Sequence, residues 1–306
     1  MRPKALVGVV LALVTAAVTL IAAPVSAERR STHPPRVAGM VIVESNRSFE
    51  DTWAALLAAL DANTNIGVVA TIDHAAAAAS VGLELDPNRV VVFGNPNLGA
   101  PLMQVNQVVG IDLPQKIQVF EDRGRVLVGF NDAAWLRARH RLGDQPTLET
   151  IAGALRALAG TAADDEVDQR SFGNSRFRRN PGLVTVPSDA DFETTWDRLL
   201  AAIEASPASV AFTVDHSAAA APVGLDLRPT RLVAFGNPNL GTPLMQERAT
   251  AGVDLPIKFL VWEDEHGQTF VTTNDERLAR RHRIRKTDLG PIAAAVENFL
   301  AVATTS

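Results

Sequence analysis

Apolar residues recur along the chain with a helix spacing and a strand spacing, and the same series occurs twice. Met40-Val41-Ile42-Val43 and Leu183-Val184-Thr185-Val186 are short β-prone runs that predict a strand at the start of each series. Phe49, Trp53, Leu56, Leu57 and Leu60 follow at steps of 4, 7, 8 and 11, one face of an α-helix, and Phe192, Trp196, Leu199, Leu200 and Ile203 keep that spacing. Ser48 with Asp51 makes a capping box for the first of these helices, and Asp191 can cap the second. Alternating strands at Val68–Asp73 and Val210–Asp215 come next, then short alanine-rich helices closed by Gly82 and Gly224. Third strands run over Arg89–Phe93 and Arg231–Phe235. Pro101 and Pro243 then stand where the first residue of a helix belongs, with Thr242 as cap in the second series. Lys116–Glu121 and Val126–Phe130 predict a hairpin around Asp122-Arg123-Gly124, as do Lys258–Glu263 and Thr269–Thr273. A final amphipathic helix carries Ile151, Leu155 and Leu158, or Ile292, Val296 and Phe299. The order strand, helix, four strands, helix, with helices apolar on one side, predicts an α+β fold whose antiparallel sheet is covered on one face.

The repetition sets the domain plan. Phe93-Gly94-Asn95-Pro96-Asn97-Leu98-Gly99 returns as Phe235-Gly236-Asn237-Pro238-Asn239-Leu240-Gly241, 142 residues later, and each copy continues through one variable residue into Pro-Leu-Met-Gln. At the same offset Asp73-His74 returns as Asp215-His216, Lys116 as Lys258, Glu121-Asp122 as Glu263-Asp264, and Arg139-His140-Arg141 as Arg281-His282-Arg283. Two homologous domains are therefore expected at 36–161 and 181–306, joined by a polar linker at 162–180. Each is expected to leave one sheet face without a helix, so that the two copies pack these faces into an intramolecular pseudo-dimer.

Composition narrows the chemistry. The 306 residues are 47% hydrophobic with a net charge of −5, which suits packed domains and argues against a nucleic-acid partner. With no cysteine there is no disulfide, thiolate nucleophile or cysteine-held metal, and with no tyrosine there is no phenol. Arg2 and Lys4 precede an uncharged run from Ala5 to Ala23, and Val25-Ser26-Ala27 offers small residues for a signal peptidase. Residues 1–27 are expected to be a cleaved signal peptide, 28–35 a disordered lead-in, and the product a secreted or cell-envelope protein with a net charge of −7. An apolar run of this length retained uncleaved would instead anchor the chain in a membrane.

Two repeated features are candidate sites. The Gly-Asn-Pro-Asn-Leu-Gly loop (Gly94, Asn95 and Asn97; Gly236, Asn237 and Asn239) lies between a strand and a helix, where free amides cradle anions, although a tight turn accounts for the same residues. It lacks the lysine of a phosphate-binding loop. Asp73-His74 and Asp215-His216 end a strand and begin a helix; aspartate there is a good cap, and a carboxylate–imidazole couple is also a general base, which Glu121 and Glu263 of the hairpins would join if close in space. His140 and His282, flanked by arginines, read as surface residues near helix ends, Trp53 and Trp196 as core, and Met103 and Met245 as core or pocket lining. No metal-ligand spacing and no activated serine occurs, and no motif names a cofactor.

The Asp-His-Ala/Ser-Ala-Ala run, Gly-Leu-x-Leu at 82–85 and 224–227, Phe-Gly-Asn-Pro-Asn-Leu-Gly and the Glu-Asp hairpin resemble the DUF302 family of domains, across nearly all of the chain beyond residue 36. The resemblance implies an α+β layer of the TATA-binding-protein-like class. It implies no reaction. Family members often place a tyrosine before the Asn-Asp that ends the fifth strand, where this chain has Phe130 and Thr273. The expected function is a non-catalytic module binding a small ligand or a protein partner in a groove between the Gly-Asn-Pro loops and the Asp-His pairs. The alternative is an envelope enzyme, acid–base or metal-assisted, using His74 and His216 with Glu121 and Glu263.

Overall fold

A computed structural model describes residues 33–179, 181–285 and 289–305. The expected signal peptide at 1–27 and most of the expected lead-in at 28–35 lie outside the described residues. The first repeat runs β1 (Met40–Glu44), α1 (Phe49–Asp61), β2 (Gly67–Asp73), α2 (His74–Ala79), β3 (Asn88–Gly94), α3 (Pro96–Val105), β4 (Gln115–Asp122), β5 (Arg125–Asn131), α4 (Ala133–His140) and α5 (Pro146–Ala163). A short helix α6 (Ser175–Arg179) lies in the connection expected to be a linker, held by Phe177, which packs edge-on to Trp135 at 6.0 Å. The second repeat runs β6 (Leu183–Pro187), α7 (Phe192–Glu204), β7 (Ser209–Asp215), α8 (His216–Ala220), β8 (Thr230–Gly236), α9 (Pro238–Glu247), β9 (Ile257–Glu263), β10 (Thr269–Asn274), α10 (Glu276–Ala279) and α11 (Gly290–Thr304).

Each repeat forms one antiparallel five-stranded sheet, in the orders β1-β5-β4-β3-β2 and β6-β10-β9-β8-β7. The β4–β5 turn places Arg123 (φ 55°) and Gly124 (φ 74°) in the left-handed region, the conformation a two-residue hairpin turn requires. Ser48 and Asp191 cap α1 and α7 as expected, accepting from Asp51 N and Thr194 N. One sheet face is covered by α1 and α5, with Leu56, Leu60, Val91, Ile117, Val119 and Leu155 in its core, and α7 and α11 cover the second sheet in the same way.

The opposite faces meet each other. Val90, Val92 and Ile111 of the first repeat form one buried cluster with Phe212, Leu232, Ala234 and Leu260 of the second. Two 3₁₀ turns, Gln107–Asp112 and Ala249–Val253, cross this boundary: Gln107 Nε2 donates to Thr230 Oγ1 at 2.6 Å, and Asn88 and Gln118 donate to Ala249 O at 3.0 and 2.8 Å.

The helix after the Gly-Asn-Pro loop begins earlier than its second proline predicts. Asn95 and Asn237 are the caps and Pro96 and Pro238 the first residues, so Pro101 and Pro243 fall inside α3 and α9 and Thr242 is helical. An asparagine side chain taking the Asn97 or Asn239 amide fixes the start before Pro101 or Pro243 is reached.

Candidate functional site

The two members of each Asp-His pair have separate tasks. Asp73 Oδ1 accepts from Ala76 N at 2.9 Å and its Oδ2 from Arg89 Nε at 2.8 Å; Asp215 does the same with Ala218 N (2.8 Å) and Arg231 Nε (2.9 Å). Burial alone would raise these carboxyls, but the hydrogen bonds from the helix start and from the arginine hold both below the usual carboxylate range. The histidines turn the other way, into the opposite repeat. His74 Nε2 donates to Gly252 O at 3.1 Å and His216 Nε2 to Gly110 O at 3.0 Å, and their residues are only 5% and 4% exposed. Each histidine, although it stands in the first turn of a short helix, is thus buried. Burial pushes both imidazoles down to about 4, against the pull of those carbonyls, so each is a neutral donor at neutral pH.

The acid–base constellation does not assemble. Among the described residues neither Glu121 nor Glu263 makes a hydrogen bond or ion pair with either histidine; the backbone of Glu121 bonds Pro87 O, and Glu263 O takes Arg228 Nε at 3.2 Å. The loop amides are also spoken for. Asn97 N bonds Asn95 Oδ1, and Leu98 N and Gly99 N bond Asn95 O, so the start of α3 offers no free amide cradle at these positions.

The loops and the histidines do meet, across the domain boundary. One cleft, of about 160 Å³, is lined by Gly236, Asn237 and Met245 of the second repeat and by Ile72, His74 and Ala77 of the first. The other, of about 230 Å³, is lined by Gly94, Asn95 and Met103 of the first repeat and by Val214, His216 and Ala219 of the second. Most remaining walls are aliphatic or aromatic, including Ile151 and Leu155 in the larger cleft and Ile292 and Phe299 in the smaller. Asn97, Asn239, Asp73 and Asp215 line neither cleft.

Between the sheets lies a second constellation, made of charge. Asp112 Oδ2 accepts from Arg139 Nη1 and His140 Nε2, both at 2.7 Å, and its Oδ1 from Lys258 Nζ of the other repeat at 3.1 Å. Asp254 accepts from Arg281 Nε at 2.9 Å and Nη2 at 2.8 Å, and from His282 Nε2 at 2.8 Å. Both arginines cross the boundary: Arg139 reaches Pro181 O and Arg281 reaches Asn131 Oδ1. Trp135 lies between them, 5.0 Å from each guanidinium. His140 and His282 are therefore corrected from surface residues to buried ones, 2% exposed, because each donates to an aspartate already held inside. Burial would raise Asp112, yet Arg139, Lys258 and His140 hold it well below its ordinary value. Burial and the neighbouring Lys258 hold Lys116 well below the usual lysine range. Neither lysine lines a cleft described above.

The family model described as "Domain of unknown function DUF302" matches residues 41–158 and 184–305. The chain belongs to the DUF302 family. Three curated relatives are each 46% identical over 141 residues, 45% of this chain: the fluoride-specific ion channels FluC 1 of Brucella suis biovar 1 and FluC 1 of Brucella abortus biovar 1, and FluC 2 of Brucella melitensis biotype 1. The match covers 56% of the first and 52% of the other two, so it spans about half the length of these relatives. Among the described residues of this chain no helix is long and apolar enough to cross a membrane. The crystal structure of an uncharacterized conserved DUF302 protein from Bacillus stearothermophilus is 21% identical, covering 40% of this chain and 98% of its own, with a TM-score of 0.36.

Sequence reasoning missed a motif that builds much of this DUF302 boundary. Gly110-Ile111-Asp112-Leu113-Pro114-Gln115-Lys116 recurs as Gly252-Val253-Asp254-Leu255-Pro256-Ile257-Lys258, at the same offset of 142. Its glycines sit in close quarters: a Cβ at Gly252 would stand 2.5 Å from Gln118 Nε2, and one at Gly110 would stand 3.2 Å from Leu260 Cδ1 and Met103 Sδ, tight enough that these side chains would have to shift slightly. The signal for it in the chain is the offset of 142, which relates Asp112 to Asp254 as it relates Lys116 to Lys258. At the two positions where the family resemblance leads one to expect tyrosine, Phe130 is fully buried in the first core and Thr273 Oγ1 donates to Lys258 O at 2.8 Å.

Proposed function

We propose that this protein is a non-catalytic tandem DUF302 module that binds small, largely apolar molecules in its two boundary clefts. The observation that carries the reading is that each cleft joins the Gly-Asn-Pro loop of one repeat to the histidine-bearing helix of the other. A cavity of about 150 Å³ with apolar walls takes up a benzene-sized molecule, which sets the scale of a ligand here. The histidines support binding rather than catalysis, since each is neutral and its Nε2 already serves a backbone carbonyl. The binding module acts outside the cytoplasm or in the cell envelope, a placement supported by the basic, apolar and small-residue order of residues 1–27. N-terminal sequencing of exported material tests that placement, with Glu28 as the expected first residue and a retained Met1 against it.

The cleft reading is tested by thermal unfolding with and without a series of small aromatic and aliphatic molecules. Wild type is expected to gain stability with the molecules that fit, because a ligand that binds only the folded chain shifts the equilibrium toward it. Ala154 and Ala295 line the two clefts, and the double variant Ala154→Trp, Ala295→Trp is expected to fold and to lose the response. An identical response from both proteins places binding elsewhere and rejects the reading.

A further inference from the structure

The two clefts are equivalent in position but not in polarity. In the larger one, Gln115 is 8% exposed and its Nε2 has no hydrogen-bond partner. The matching residue of the smaller cleft, 142 positions on, is Ile257. The smaller cleft carries its own unpartnered group elsewhere: Thr242, 1% exposed with an unbonded Oγ1, stands where the larger has Ala100. A buried amide N–H without a partner costs folding free energy, and such groups in native proteins find an acceptor. The cleft that Gln115 lines is otherwise walled mostly by aliphatic and aromatic side chains, Phe93, Met103, Leu113 and Leu155 among them; its other polar side chains, Asn95 and His216, already bond Asn97 N and Gly110 O. A molecule that enters the cleft can supply that acceptor.

We propose that Gln115 is the specificity-determining residue of the larger cleft, donating its amide N–H to a carbonyl or carboxyl oxygen on an otherwise apolar ligand, and that the two clefts prefer different molecules. This rests on the cleft reading above. Because the two sites came from one ancestral repeat, Gln115 against Ile257 and Ala100 against Thr242 are the substitutions that separate their preferences. A site that offers a buried donor disfavours an analogue without the acceptor, since that analogue leaves the donor unpaired.

Acetophenone and isopropylbenzene are matched probes: the same ring and the same number of heavy atoms, with a carbonyl oxygen in one and a methyl in the other. Calorimetric titration in the Ala295→Trp background, where the smaller cleft is filled, reads the larger one alone. The ratio of the two dissociation constants is expected to shift toward isopropylbenzene by roughly tenfold on Gln115→Met and on Gln115→Ile. An unchanged ratio overturns the proposal. If neither Gln115 variant folds, Ile257→Gln in the Ala154→Trp background decides: a gain of acetophenone preference in the smaller cleft supports it, and no gain overturns it. Binding of neither probe to wild type, with no effect of the filling variants, overturns the cleft reading itself, a result distinct from tight binding without discrimination.

Discussion

Lys258 of the second repeat donates to Asp112 of the first at 3.1 Å, and both residues are buried at the boundary between the repeats. The matching lysine of the first repeat, Lys116, has a different life: it bonds Lys258, and burial with that neighbouring cation holds it well below the usual lysine range. The same residue at the same place in two copies of one domain has become an ion-pair donor in one and a buried amine in the other.

This asymmetry gives opposite expectations for one substitution. Lys258→Met leaves Asp112 short of a partner and is expected to cost about 3–5 kcal/mol, the scale for breaking a buried pair. Lys116→Met removes a desolvated amine and is expected to be neutral or stabilising by about 1 kcal/mol. Urea unfolding of the two variants checks this, and equal losses would show that both lysines are ion-paired.

Stability is expected to fall as pH drops from 6.5 toward 4. In the folded chain His74 and His216 take up a proton only near pH 4, whereas in the unfolded chain they do so near 6.5. Between those values the unfolded state binds more protons, so acidification favours it, by up to about 3 kcal/mol for each histidine. His140 and His282 are lowered by burial as well and act in the same direction. The stabilisation from Asp112 and Asp254, whose carboxyls are depressed, is present above about pH 4 and lost below it. Urea midpoints at pH 7.5, 6 and 5 measure the slope, which should be shallower in His74→Gln, His216→Gln. A flat wild-type profile would sink the assignment of buried neutral histidines.

The Asp-His pairs should separate on mutation. Asp73→Ala removes a helix cap and is expected to cost about 0.5–2 kcal/mol. His74→Ala opens a void at the boundary and strands the Gly252 carbonyl, and is expected to cost about 2–4 kcal/mol. If His74→Ala proves the milder change by thermal unfolding, the cross-boundary bond is not a main support.

One repeat alone is expected to behave poorly. The fragment 33–163 would expose Val90, Val92 and Ile111 together with an Asp112 that has lost Lys258. Large exposed apolar patches drive association, so sedimentation should show self-association or precipitation. A monodisperse folded monomer would mean that the face tolerates water.

Much of the fold was legible before any coordinates. The apolar spacing of Phe49 to Leu60, the Arg123-Gly124 turn and the caps at Ser48 and Asp191 are local, decided by neighbours within a few residues in the chain. Pro101 is not the helix start its surroundings suggest, because two prolines compete for one start and the Asn95 side chain decides between them. The Gly94, Asn95, His74 and His216 candidates do reach the clefts, whereas Glu121 and Glu263 do not join the histidines.

The sequence by itself determined that two homologous α+β domains of the DUF302 type follow one another, because repetition at a single offset and apolar periodicity are properties of the chain order. The tertiary structure alone decided that each cleft takes its loop from one repeat and its histidine from the other, and that His140 and His282 lie inside. Burial and partnership across the boundary depend on residues more than 100 positions apart, such as His74 with Gly252 and His216 with Gly110. No local pattern encodes which face a histidine turns toward. That choice is made when two sheets close on each other and every buried donor must find an acceptor.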